Sequence, residues 1–209
     1  MNQTVLIADD HPLFRQALAL AVGRVLPEAR IIEAGTLASA ARAVSDSADL
    51  RLILLDLKMP GATGYSGIAL LHAEAPTVPI LVVSSADGSA AAEEARAFGA
   101  IGFLRKDSDL GAIEAAIAGA ISGAVRAAAP RAAEPVESVR ATVAGLTPTQ
   151  LKVLLAVLEG QLNKQIAHSL GMSEATVKAH MTAIMRKLDV RNRTQAALVA
   201  RSLGLDLHH

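Results

Sequence analysis

At 209 residues with 52% hydrophobic side chains, the chain can form one large domain or two small ones, each with a real core. It has no cysteine, which excludes disulfides, thiolate metal sites and cysteine nucleophiles, and its four aromatics, Phe14, Tyr65, Phe98 and Phe103, are too few for a base-stacking platform. The zero net charge divides unevenly: residues 1–123 carry 14 acids against 9 bases, residues 124–145 a net +1, and residues 146–209 only 4 acids against 8 bases. An acidic front and a basic back point to two domains with different partners. The start, "MNQTVLIADD", lacks the basic and apolar regions of a leader, and no apolar run approaches membrane-spanning length. The expectation is a soluble, cytoplasmic protein without membrane contact.

In chain order, the first apolar run is "VLIADD" (5–10), followed by a helical "PLFRQALALAVGRVL". A weaker run, "RIIEA" (30–34), precedes the helical "TLASAARAVSD"; then come "LILLD" (52–56), "ILVVSS" (80–85) and "IGFLRK" (101–106). After the last run, Leu110, Ile113, Ile117 and Ile121 keep helical spacing. Five short strands, apolar throughout and alternating with helices, predict a parallel sheet covered on both faces. Four of the runs end on charged or hydroxyl groups. In a doubly wound sheet of flavodoxin-like order, strands 1 and 3 flank the crevice where ligands bind. Asp9, Asp10 and Asp56 therefore converge there, and Ser84 and Lys106 arrive from the next two strands.

Three carboxylates at one edge repel each other unless a hard cation sits among them. Mg²⁺ takes carboxylate, carbonyl and phosphate oxygens, and Lys106 offers a point charge for a phosphoryl oxygen. The set suits an aspartyl phosphate on Asp56. His11 is expected to pack or cap locally.

Residues 124–145, rich in Ala, Pro and charge, read as a linker. The rest, residues 146–209, reads as four helices. Thr147, Pro148 and Gln150 form an N-cap, an N1 proline and a capping-box partner. "NKQIAHSL" is a second helix, "GMS" a tight turn, Ser173 a cap, and "RNRTQAALVARSLGL" a fourth helix. In the third, Val177, Met181, Ile184, Met185 and Leu188 share the core side. Ala175, Ala179, Thr182, Ala183 and Arg186, flanked by Lys178, form the opposite one. Small side chains admit a helix to the major groove, and Lys and Arg meet phosphates and base edges. A helix, a glycine turn and a second helix fit a helix-turn-helix.

"IADDH", "LLDLKMPGATG", "VVSSA" and "GAIGFLRKD" resemble the receiver domain of two-component response regulators over roughly residues 1–122. That resemblance implies Asp56 as phosphoacceptor; Asp9, Asp10, Asp56 and the Lys58 backbone carbonyl as Mg²⁺ ligands; Ser84 as the switch hydroxyl, 22 residues before Lys106; Lys106 on the phosphoryl group; and Phe103 as the switch aromatic. Ser85 is a rival to Ser84, and Phe103 on a strand also reads as plain core. The string from "LTPTQ" (146–150) to "RTQAA" (193–197) resembles the LuxR-type DNA-binding domain. It implies Lys178, Ala179 and Thr182 near bases, Lys164, Thr176 and Lys187 on the backbone, and extra positive potential from Arg191 and Arg193. Gln150 stands where that family has Glu.

Together the halves resemble a NarL/FixJ-type response regulator: a receiver at 1–123, a linker at 124–145 and a helix-turn-helix domain at 146–209. The implied partners are a sensor histidine kinase, double-stranded DNA and a second copy in a homodimer. The alternative is a phosphorylation-regulated protein whose tail binds another regulator. A dehalogenase-type phosphatase would need an acid two residues after its nucleophile, where this chain has Lys58 after Asp56, so the expectation is not an enzyme.

Overall fold

The computed structural model describes residues 3–85, 89–123, 142–143, 145–202 and 205. Most of the expected linker lies outside them. Strands β1 (Thr4–Ala8), β2 (Arg30–Ala34), β3 (Leu50–Leu55), β4 (Ile80–Ser84) and β5 (Gly102–Arg105) form one sheet in the order β2-β1-β3-β4-β5. Every neighbouring pair is parallel, in registers such as Ile7 with Leu54 and Val82 with Phe103. This is the expected doubly wound order, with β1 beside β3.

Period-2 alternation divides the strand residues between two cores. Val5, Ile7, Leu52, Leu54, Leu81 and Val83 join Leu18 and Val22 of α1 (Pro12–Val25) and Ile113 and Ile117 of α5 (Leu110–Ser122). Leu6, Ala8, Ile53, Leu55, Ile80 and Val82 face the other way. They share a core with α2 (Leu37–Asp46), α3 (Ser66–Glu74) and Ala95 and Phe98 near the end of α4 (Ser89–Ala97). Local chemistry starts and stops the helices. Thr36 and Ser39 close a capping box on α2, Asp109 accepts from the Ala112 N–H on α5, and Gly123 ends α5 at φ 70°.

The second unit holds α6 (Pro148–Leu158), α7 (Asn163–Ser169), α8 (Glu174–Lys187) and α9 (Arg193–Ser202). The predicted caps are present: Thr147 with Gln150 on α6, and Ser173 on the Thr176 N–H of α8. Gly171, at φ 64°, makes the turn between α7 and α8.

The two units touch, which sequence patterning left open. Residues 66–71 of α3 are buried all round, because the sheet covers one side of the helix and α6 packs against it. A helix apolar on every face needs two partners. At the rim, Lys152 Nζ meets Glu74 Oε1 at 2.6 Å, and Thr63 Oγ1 donates to the Leu205 carbonyl at 2.7 Å.

Candidate functional site

Asp9 and Asp56 are the first residues beyond β1 and β3, and Lys106 the first beyond β5, so the end of pairing presents them at one edge. Their backbones still hang on the sheet: the N–H groups of Asp9, Asp56 and Lys106 donate to the carbonyls of Ala34, Ala8 and Ser84. Both carboxylates are almost fully buried, whereas Asp10 is partly open. Buried charges persist only when paired. Lys106 supplies that pairing, with Nζ 2.7 Å from Asp9 Oδ2 and 2.8 Å from Asp56 Oδ2. The Asp56 Oδ1 oxygen accepts from the Lys58 N–H at 3.1 Å, and Asp9 Oδ1 from the His11 N–H at 2.8 Å. Residues 9, 10, 56 and 106 are therefore brought together as expected.

Burial has the largest influence on Asp56 and raises its carboxyl above the usual range. The hydrogen bonds from Lys106 and from the Lys58 N–H pull it back, and the Asp9 charge adds to the rise. Burial lowers Lys106, but its bonds to Asp56 and Asp9 outweigh that and hold the ammonium above its ordinary value. A buried carboxylate and its paired cation thus stand at one edge of the sheet. The cluster fits a metal: one ligating atom from each of Asp9, Asp10, His11 and Asp56 lies within 4.8 Å of the others, and three of the four donors are carboxylates suited to a hard cation.

Ser84 is fully buried as the last residue of β4, and Ser85 is exposed just beyond it. Phe103 lies on β5, half-buried against the core. His11 departs from expectation. It occupies the N-cap of α1 but makes no side-chain cap; its Nδ1 turns instead to Asp10 Oδ1, 2.7 Å away. Two acids, Asp10 at 2.7 Å and Asp9 at 3.3 Å, draw the imidazole away from the helix N–H groups. Phe14 was not singled out by the sequence reading, yet Lys106 Nζ sits over its ring, 4.9 Å from the centroid. Its place in the first turn after the acidic pair was the available signal.

On α8, Val177, Met181 and Ile184 are buried, with Leu188 at the C-cap, while Met185 is only half-buried. Thr176, Lys178, Ala179, Thr182, Arg186 and Lys187 lie exposed, as does Lys164 on α7, and none of them is covered by the other unit. Lys187 has a second employment: Nζ donates to the Gly145 carbonyl at 3.0 Å and to Gln150 Oε1 at 2.9 Å. Arg193 is likewise engaged, with Asn163 and the Gln161 carbonyl.

Residues 5–118 match the response regulator receiver domain family, and residues 144–200 match the bacterial regulatory proteins of the luxR family. The chain is 39% identical over 207 residues to the glycerol metabolism activator of Pseudomonas putida, covering 94% of each. It is 34% identical over 200 residues to the nitrate/nitrite response regulator protein NarP of Escherichia coli, covering 93% of each. Its fold is similar to that of the RcsB response regulator of Salmonella typhimurium, with a TM-score of 0.53 at 21% identity over 96% of this chain and 98% of that one. No helix among the described residues is long and apolar enough to cross a membrane. The chain belongs to the response regulators of the NarL/FixJ type: a DNA-binding transcriptional regulator that joins a receiver domain to a LuxR-type domain.

Proposed function

We propose that Asp56 accepts a phosphoryl group from a sensor histidine kinase in the cytoplasm, and that its phosphorylation state governs how the LuxR-type domain engages DNA. The observation that carries this is Lys106 Nζ bridging Asp9 and Asp56 at 2.7 and 2.8 Å in the crevice between β1 and β3. In the transfer, a carboxylate oxygen of Asp56 attacks phosphorus, the bond from phosphorus to the donor's nitrogen breaks, and the imidazole leaves with the electron pair. Asp9, Asp10, Asp56 and the Lys58 carbonyl would hold Mg²⁺, which when bound neutralises phosphoryl oxygens. Lys106 binds another phosphoryl oxygen, and Ser84 and Phe103 move toward the modified side chain. Lys58, two residues after the phosphoacceptor, offers no acid for turnover, so the group persists as a signal rather than as a catalytic intermediate.

The output follows from the domain division at 1–123, 124–145 and 146–209. Lys178, Ala179, Thr182 and Arg186 approach base edges, and Lys164, Thr176 and Lys187 the phosphates. A homodimer pairs two such helices on a two-part site. Because α8 is uncovered while α3 packs on α6, phosphorylation acts on the pairing of domains and copies; it does not need to unveil the reading face. The test treats the wild-type chain and Asp56→Asn with a small phosphodonor and Mg²⁺, then measures duplex affinity against salt. Wild type gains one phosphoryl group and tighter binding with a steep negative salt slope, and Asp56→Asn gains neither while melting normally. Equal phosphorylation of the two chains rejects the mechanism. A flat slope with a protein partner recovered in place of DNA favours the interaction-protein alternative.

A further inference from the structure

We propose that Phe14 is a positioning residue for Lys106: its ring holds the ammonium in place before a phosphoryl group arrives. The proposal rests on the reading of Asp56 given above. Phe14 is the third residue of α1. Leu13 beside it is 80% exposed, whereas Phe14 is half-buried and packs against the core that contains Leu18 and Val83. That packing fixes the ring with its face under Lys106 Nζ at 4.9 Å, within the ~6 Å reach of a cation–π contact. The Lys106 side chain is 14% exposed, so water competes weakly for the ammonium. Phe14 and Lys106 also line one groove with His11, Ser85 and Ala17, about 450 Å³ in volume, open toward solvent beside the phosphoacceptor.

Among the described residues, the other contacts of Nζ, to Asp9 and Asp56, are with the groups that metal binding and phosphorylation alter. The ring is a partner that neither event changes. A lysine stem has four rotatable bonds, and an ammonium released from its carboxylates would otherwise disperse. Held by the ring, it loses less freedom when it takes up a phosphoryl oxygen, and the saving appears as affinity.

The decisive experiment replaces Phe14 in the full chain with phenylalanines carrying one, two and three fluorines, which weaken the π face at nearly constant shape. Binding of beryllofluoride with Mg²⁺ is followed by NMR. Affinity falls stepwise by about tenfold across the series, the size expected of a cation–π contact in a partly desolvated place. Phe14→Tyr stays within about twofold of wild type, and Phe14→Leu matches the most fluorinated chain. Ring current also shifts the Lys106 ε-methylene protons upfield in wild type but not in Phe14→Leu, a readout independent of ligand. A flat fluorine series, or unshifted protons in wild type, overturns the role of Phe14. Failure of wild type to bind beryllofluoride, or equal binding by Asp56→Asn, overturns the underlying reading of Asp56 instead.

Discussion

The crevice and the exposed face of α8 both gather charge, but they are built in opposite ways. The crevice takes Asp9, Asp56 and Lys106 from three segments that meet only after the sheet closes, and each side chain there is held by another. The α8 face comes from one helix, where 3.6-residue periodicity alone brings Lys178, Thr182 and Arg186 to the surface. Long-range convergence gives a coupled site, in which altering one group changes the state of its neighbours. Local periodicity gives separable groups that act nearly independently.

That contrast is sharpest in a double-mutant cycle. Asp9→Asn and Lys106→Met should each reduce beryllofluoride affinity by about a hundredfold or more, since the first removes a carboxylate from the acidic cluster and from Lys106, and the second leaves Asp9 and Asp56 without their cation. The double variant should be little worse than either alone, and additive losses would show the crevice to be uncoupled. Next in size is stability: Ile184→Ala, at a fully buried position of α8, should cost about 2–4 kcal/mol in denaturant unfolding. A cost near zero would mean that the helix does not rely on its core side.

Smaller effects are expected on the exposed face. Lys178→Ala and Arg186→Ala should each weaken duplex binding by about threefold to tenfold, relax discrimination between duplex sequences, and add when combined. Neither should change the melting temperature, because both side chains are exposed. The smallest effect lies at the far end of the receiver, where His72 packs beneath Gly99, whose φ is +108° and where a Cβ would fall 2.6 Å from the ring. Burial lowers the His72 pKa below its ordinary value. Its contribution to stability is therefore present above the unfolded pKa of about 6.5 and is lost as pH falls through the folded value. Between pH 7 and pH 5 the melting temperature should drop by a few degrees more in wild type than in His72→Gln. Parallel curves for the two chains would remove His72 from the acid response.

Several features of the molecule were decided locally. Strand alternation at Val5 to Ala8, the capping box at Thr147 and Gln150, the Gly171 turn and the amphipathic α8 all depend on neighbours within a few residues, and chain order shows those directly. Even the convergence of Asp9, Asp10 and Asp56 was legible, because parallel strands place their carboxyl ends along a common edge.

What chain order could not supply was the choice among partners once distant groups meet. His11 had a helix N–H nearby and acids within reach; the folded crevice turned it to Asp10. The resemblance implied Lys187 on the DNA backbone, and the fold also brings Gln150 and Gly145 to it. Phe14 gave no sign of its partner until β5 carried Lys106 over its ring, and α3 received α6 on a face that could have met solvent. Short-range propensities are written in adjacent residues, whereas these pairings depend on contact energies that exist only after the chain has closed its loops. The sequence therefore determined the elements and the edge where the chemistry lies, and the tertiary structure decided which side chains hold one another there.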